Sequence, residues 1–204
     1  MVHTRLILGE LETNCYLVWS EHEGIVIDPA DEAEEILSEV AERGISITAV
    51  VLTHAHFDHM LAAEAVCAHT GAPLYIGAGD VDALTDPKRN LSGWFSPGQE
   101  ITIDKANLLY EGGVISFGNA SLTVLETPGH TPGCICLHTE NTLFSGDTLF
   151  RNSIGRLDFP GGDVTAMKRS LERLLQLPDS TAVYPGHGPD TTIGTEKKYN
   201  PYLR

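Results

Sequence analysis

Apolar and polar positions trade places in short runs along the first part of the chain. Leu6 to Leu8, Cys15 to Trp19 and Gly24 to Ile27 predict consecutive strands, the third ending at Asp28-Pro29. The period then changes. Ile36, Leu37 and Val40 recur at helical spacing, with Asp31 as the expected N-cap and Gly44 as the stop. The acidic run Asp31-Glu32-Ala33-Glu34-Glu35 is a solvated face near that helix N-terminus. Thr48 to Leu52 predicts a strand, Met60 to Ala68 a helix, and Leu74 to Ile76 another strand; His69, just before Gly71, suits a helix C-terminus. From Gly77 to Pro97 the pattern is irregular, and Trp94 and Phe95 there are open as lid aromatics or as ordinary packing.

The second half repeats the style. Val114 to Phe117, Ser121 to Glu126, Cys134 to His138 and Thr142 to Ser145 predict strands, and Thr181 to Tyr184 a last one. Asp163 is the expected cap of a helix whose Val164, Met167, Leu171, Leu174 and Leu175 form a core stripe. Two sheets covered by outer helices fit this order, with no repeats and no low-complexity segment.

At 204 residues and 42% hydrophobic content the chain can bury a full core, and one domain over residues 1–204 is expected. No run of about 18 apolar residues exists, and the apolar patch before Gly9 is too brief for a signal peptide, so a soluble cytoplasmic protein is expected. Cys15, Cys67, Cys134 and Cys136 are read as reduced, packed thiols. A formal charge of −15 with no basic stripe argues against nucleic acid or an anionic membrane as partner.

The chemistry concentrates in Thr53-His54-Ala55-His56-Phe57-Asp58-His59, directly after Ala49-Val50-Val51-Leu52. Successive side chains of an extended segment alternate sides, so His54 and His56 can share one ion while Asp58 and His59 pass beyond a bend, which favours two adjacent ions. Three more donors sit among loop-forming residues: His130 in Thr127-Pro128-Gly129-His130, Asp147 in Ser145-Gly146-Asp147-Thr148, and His187 in Pro185-Gly186-His187-Gly188. Nitrogen and oxygen donors alone suit zinc, iron or manganese. His3, His22 and His138 read as structural. Asp28, ending a strand before a turn, is either a turn-former or a carboxylate that orients a ligand histidine.

At these residues the chain resembles the metallo-β-lactamase superfamily, whose HxHxDH signature is matched by His54, His56, Asp58 and His59 and whose later single ligands are matched by His130, Asp147 and His187. Gly146-Asp147-Thr148-Leu149-Phe150 followed by Gly155-Arg156 is similar to the hydroxyacylglutathione hydrolase (glyoxalase II) branch and its short bacterial relatives. The resemblance runs from about Leu11 to the C-terminus. It implies a four-layer αββα sandwich with the site along one sheet edge. It also implies a first metal on His54, His56 and His130, a second on Asp58, His59 and His187, and Asp147 as the bridge. β-Lactamases of the superfamily place cysteine or serine where Asp147 stands, so antibiotic hydrolysis is disfavoured.

The implied reaction is hydrolysis of a small-molecule thioester such as S-lactoylglutathione by a hydroxide shared between two divalent ions, zinc foremost, with Asp58 and Asp147 as the catalytic carboxylates. Arg156 matches the family's basic contact to glutathione, and Asp158 stands where the family has an aromatic contact. The additional helical domain of the long glyoxalase II type is not expected, since 17 residues follow His187. Lys197, Lys198 and Tyr199 are the replacement anion contacts the tail offers. The alternatives are a lactone or other ester hydrolase of the superfamily, and a mononuclear iron persulfide dioxygenase using His54, His130 and Asp147. A non-catalytic metal-binding module is the third class.

Overall fold

The computed structural model describes residues 1–95, 98 and 100–203; Pro97, the end of the irregular stretch, lies outside them. The first half forms β1 (Val2–Leu8), β2 (Thr13–Ser20), β3 (Glu23–Ile27), α1 (Ala33–Arg43), β4 (Ser46–Leu52), α2 (Ala63–Thr70), β5 (Leu74–Gly77), α3 (Ser92–Phe95) and β6 (Asn107–Leu109). Its six strands make one sheet in chain order. β1, β2 and β3 pair antiparallel, then β4, β5 and β6 join in parallel. A parallel step needs a crossover, which α1 and α2 supply for β4 and β5.

The second half forms β7 (Val114–Phe117), β8 (Ala120–Glu126), β9 (Ile135–His138), β10 (Thr142–Gly146), β11 (Leu149–Phe150), β12 (Ser153–Ile154), α4 (Val164–Leu174), β13 (Ala182–Pro185), β14 (Thr191–Thr192) and α5 (Ile193–Tyr199). Its sheet runs β14-β13-β10-β9-β8-β7, with β11 and β12 as a separate hairpin.

Alternation along the strands dictates the layers. Tyr16, Val18, Ile25, Ile27, Ala49 and Val51 meet Ile115, Phe117, Leu122, Val124, Leu137 and Phe144 between the sheets. The intervening residues Leu17, Val26, Val50 and Leu52 face outward onto Ile36 and Val40 of α1 and Val66 of α2. On the far side Cys136, Leu143 and Val183 take Met167, Leu171 and Leu174 of α4. A period of two with both faces apolar is what an inner sheet of a sandwich requires. The αββα order expected from the sequence is therefore present. All four cysteines are free thiols.

Asp163 caps α4 as expected, its carboxylate accepting the N–H groups of Thr165 and Ala166 at 2.7 and 2.9 Å. Asp31 does not cap α1. Its side chain accepts from the adjacent Glu32 N–H, and Glu32, at φ 48°, is the N-cap residue without a side-chain cap bond. Helix α2 starts at Ala63 instead of Met60, because Phe57–His59 winds a tight 3-10 turn that presents Asp58 and His59. Three-residue β6, the hairpin, β14, α3 and α5 carry too short a pattern to be read beforehand. No helix among the described residues is long and apolar enough to cross a membrane.

Candidate metal centre

The seven donors come from the ends of strands on one rim of the sandwich. His54 to His59 follow β4, His130 lies in the β8–β9 connection, Asp147 follows β10 and His187 follows β13. They converge in two nests. His56 Nδ1 lies 3.0 Å from His54 Nε2 and 2.9 Å from His130 Nε2. In the second nest, Asp58 Oδ2 lies 3.2 Å from His187 Nε2 and 3.5 Å from His59 Nε2, and the two Nε2 atoms are 3.3 Å apart. Asp147 stands between them: Oδ1 is 3.4 Å from His59, while Oδ2 is 3.6 Å from His130 and 3.7 Å from His187.

The tautomers show what these contacts are. Carbonyl and carboxylate oxygens only accept, so the Nδ1 of His130 carries hydrogen toward the Arg156 carbonyl at 2.7 Å, that of His187 toward the Leu11 carbonyl at 3.2 Å, and that of His59 toward Asp28 Oδ2 at 3.0 Å. Thr53 spends its hydroxyl hydrogen on Asp28 at 2.7 Å, so it accepts from His54 Nδ1. In their neutral, metal-binding form four imidazoles thus aim Nε2 lone pairs inward. Lone pairs facing at such distances repel unless a cation lies between them. Tetrahedral zinc, with bonds of about 2.0–2.1 Å to nitrogen, sets donor spacings of roughly 3.3 Å, and the spacings here cluster around that value. Asp147 Oδ1 is also buried without a hydrogen-bond partner. The residues therefore fit a pair of divalent ions, with His54, His56 and His130 as one set and Asp58, His59 and His187 as the other.

The field agrees. Burial disfavours charge on His59, yet the carboxylates of Asp58, Asp147 and Asp28 outweigh it and lift its pKa to about 10. Burial likewise opposes charge on His187, but its bond to Asp58 pushes the pKa up. Burial raises the pKa of Asp58, but His59 and His187 hold it far below the usual carboxylate range. His54 and His56 move the other way, pushed well below the ordinary histidine value by burial and by neighbouring imidazoles. His59 and His187 of the second nest attract positive charge; His54 and His56 of the first resist it.

Glycine is required beside the centre. A Cβ on Gly186 would run into Asp147 Oδ1 and His59 Cε1. Asp28 proves to be both things its position suggested. Its φ of 51° makes the turn, and its carboxylate takes the Thr53 N–H, the Thr53 hydroxyl and His59.

Above the nests lies a cleft of about 400 Å³ walled by Leu11, Phe57, Leu91, Phe95, Phe150, Ile154 and Phe159. Phe95 stacks on Phe57 and meets Phe159 edge-on, so it is a wall of the cleft; Trp94, half exposed, touches Phe159. Arg156 reaches the rim, where both its guanidinium bonds go to Asp158 at 2.7 Å and its plane lies 3.9 Å above the Phe159 ring. Lys197 is not brought to the site. It sits on α5, held by Asp179 at 2.6 Å and the Leu177 carbonyl, because the tail folds into a helix against that turn. Sequence reasoning missed the backbone carbonyls that orient His130 and His187, for which no side-chain signal exists. It also missed Thr13, which donates to Asp58 at 2.9 Å, and Asp80.

A family model for the metallo-β-lactamase superfamily matches residues 8–187. The chain is 37% identical over 203 residues to a probable metallo-hydrolase, YqgX, of Bacillus subtilis, covering 98% of this chain and 96% of that one. It is 34% identical over 198 residues to hydroxyacylglutathione hydrolase GloC of Haemophilus influenzae, covering 94% and 93%. Among solved structures, the B3 metallo-β-lactamase BLEG-1 matches with a TM-score of 0.93 at 38% identity over 99% of both chains. TTHA1623 in a di-iron-bound form gives 0.87 at 38% over 98% and 100%, and ETHE1 from Myxococcus xanthus gives 0.81 at 30% over 98% and 84%. The chain belongs to the metallo-β-lactamase superfamily and is a metal-dependent hydrolase of that lineage.

Proposed function

We propose that the protein hydrolyses a small-molecule thioester of the S-lactoylglutathione type at a dinuclear centre. His54, His56 and His130 would hold one ion and Asp58, His59 and His187 the other, with Asp147 standing between the two sets. The observation that carries this reading is the inward aim of four lone pairs and three carboxylate oxygens around two nests that share Asp147. When bound, the ions supply Lewis acidity that ionises water near neutral pH and stabilises negative charge on the carbonyl oxygen.

The chain's own groups do the rest. Asp58 and Asp147 line the cleft and are the acceptors that orient the attacking water. The water gives up one proton to solvent, its oxygen bonds to the carbonyl carbon, the C–S bond breaks, and the sulfur leaves as thiolate with the bonding pair. A thiolate departs without protonation, so a cleft with no dedicated acid beside it is adequate. The apolar walls desolvate the acyl group, and Arg156 at the rim is the cation available to an anionic carrier. The relationship to GloC supports this substrate class.

The ETHE1 likeness favours a second reading, oxidation of a persulfide at a single iron. One experiment separates them: elemental analysis of the purified protein with an anaerobic assay on S-lactoylglutathione. Two metals per chain and thiol release without oxygen are expected. One iron with oxygen uptake on glutathione persulfide would transfer the assignment to the second reading. The BLEG-1 likeness adds a β-lactam to the panel, on which turnover exceeding that on the thioester would displace both.

A further inference from the structure

Asp80 is fully buried in the 3-10 stretch Ala78–Thr85 that follows β5. Its Oδ2 accepts the Ala55 N–H at 3.0 Å and the Thr131 hydroxyl at 2.7 Å, and its Oδ1 accepts the Gly133 N–H at 2.7 Å. Ala55 is the residue between His54 and His56, and Thr131 directly follows His130. One carboxylate therefore fastens the backbone beside all three histidines of the first nest, across chain segments 76 residues apart. Thr131 has a single hydroxyl hydrogen and gives it to Asp80, so it accepts the Cys134 thiol hydrogen at 3.0 Å. Burial and the neighbouring Asp80 keep that thiol protonated, and the arrangement is complete. The approach is too close for anything but glycine, since a Cβ on Gly133 would strike the Asp80 backbone and side chain.

We propose that Asp80 is a positioning residue that preorganises the His54–His56–His130 nest, a second buried strut separate from Asp28. The inference rests on the dinuclear reading above and sharpens it, because Asp80 braces the first nest alone, whereas Asp28 touches both, through His59 and through Thr53 to His54. Asp58, His59 and His187 take their support from Thr13, Asp28 and the Leu11 carbonyl, and none of Asp80's hydrogen bonds reaches them. Loss of a group that orients ligands costs about 10- to 100-fold in metal affinity. Here that loss falls on one nest.

The test is a Co(II) titration of the metal-stripped full-length protein, followed by calorimetry and by visible absorption of the bound ion. The wild type is expected to bind in two steps. Asp80→Asn places an amide N–H against a buried donor and should weaken one step about 10- to 100-fold, leaving the other within about twofold. Thr131→Val removes a single donor and should weaken the same step less, so it decides the matter if the Asn variant does not fold. On a His130→Ala background, which lacks the first nest, Asp80→Asn should cost the remaining site nothing further. Equal weakening of both steps, a Thr131→Val protein identical to wild type, or a further loss on the His130→Ala background would overturn the proposal. A wild type that takes up no cobalt would instead bring down the dinuclear reading, and this proposal with it.

Discussion

Replacing Asp28 by Asn keeps the shape of a buried side chain and reverses one of its two hydrogen-bonding ends. Its carboxylate accepts three hydrogen bonds: Thr53 N–H at 2.7 Å on Oδ1, and the Thr53 hydroxyl at 2.7 Å and His59 Nδ1–H at 3.0 Å on Oδ2. With the amide nitrogen at Oδ2, His59 faces a donor with a donor, and the stable answer moves its proton to Nε2, into the second nest. Thr53 must also turn its hydroxyl, and the neighbouring acceptor is His54 Nδ1 at 3.2 Å. His54 then carries its proton on Nε2, into the first nest. If the amide flips, the buried Thr53 N–H is opposed instead, which costs about 1–3 kcal/mol. A hydrogen bond to a charged group contributes about 1.5–3 kcal/mol, and each 1.4 kcal/mol is tenfold in affinity. The variant should therefore lose about 10- to 100-fold in zinc affinity at each nest. Titration of metal-stripped protein against a chelating dye measures this, and nitrogen-15 spectra of the imidazoles report the tautomers. Two zinc ions bound within about threefold of wild-type affinity, with His59 still protonated at Nδ1, would refute the proton chain.

Gly186→Ala pushes a methyl group into Asp147 and His59; it should destabilise the metal-free fold by about 1–3 kcal/mol and reduce metal content, and a wild-type melting temperature with full occupancy would contradict it. Arg156→Ala should lower kcat/KM on S-lactoylglutathione about tenfold while leaving metal content intact, since its carbonyl, not its side chain, orients His130; an unchanged kcat/KM rules out the rim contact. Protons compete for the nest whose histidines are raised, His59 to about 10, and compete poorly for His54 and His56, which are lowered. Lowering the pH should therefore empty the Asp58–His59–His187 nest first, and elemental analysis after dialysis along a pH series should pass through one ion per chain; simultaneous loss of both ions contradicts the ordering.

The convergent side chains were legible because each is of a rare type beside turn residues: His54, His56, Asp58 and His59 in one run, and His130 and His187 each after a Pro-Gly. The sandwich was legible because Leu17 and Val18, or Val50 and Val51, face opposite layers and alternation records that. What orients the donors was not. The Leu11 and Arg156 carbonyls are backbone and leave no trace in residue identity. Asp80 sits in Gly77-Ala78-Gly79-Asp80, where loop composition conceals a buried acceptor. Asp31 looked like a cap because its type suits one, and only the φ of Glu32 shows that the helix begins a residue later. Lys197 looked free because a lysine near a terminus carries no mark of the partner, Asp179, that folding gives it.

The rim that gathers donors from β4, β10, β13 and the β8–β9 connection has a consequence for biosynthesis. A ribosome releases the His54–His59 cluster long before it makes His187, and a half-made chain offers an ion only a loose, flexible grip. Both sheets must dock before the full set of donors is assembled, so tight metal binding is the last property the folding chain acquires. An ion offered earlier would meet only part of its cage.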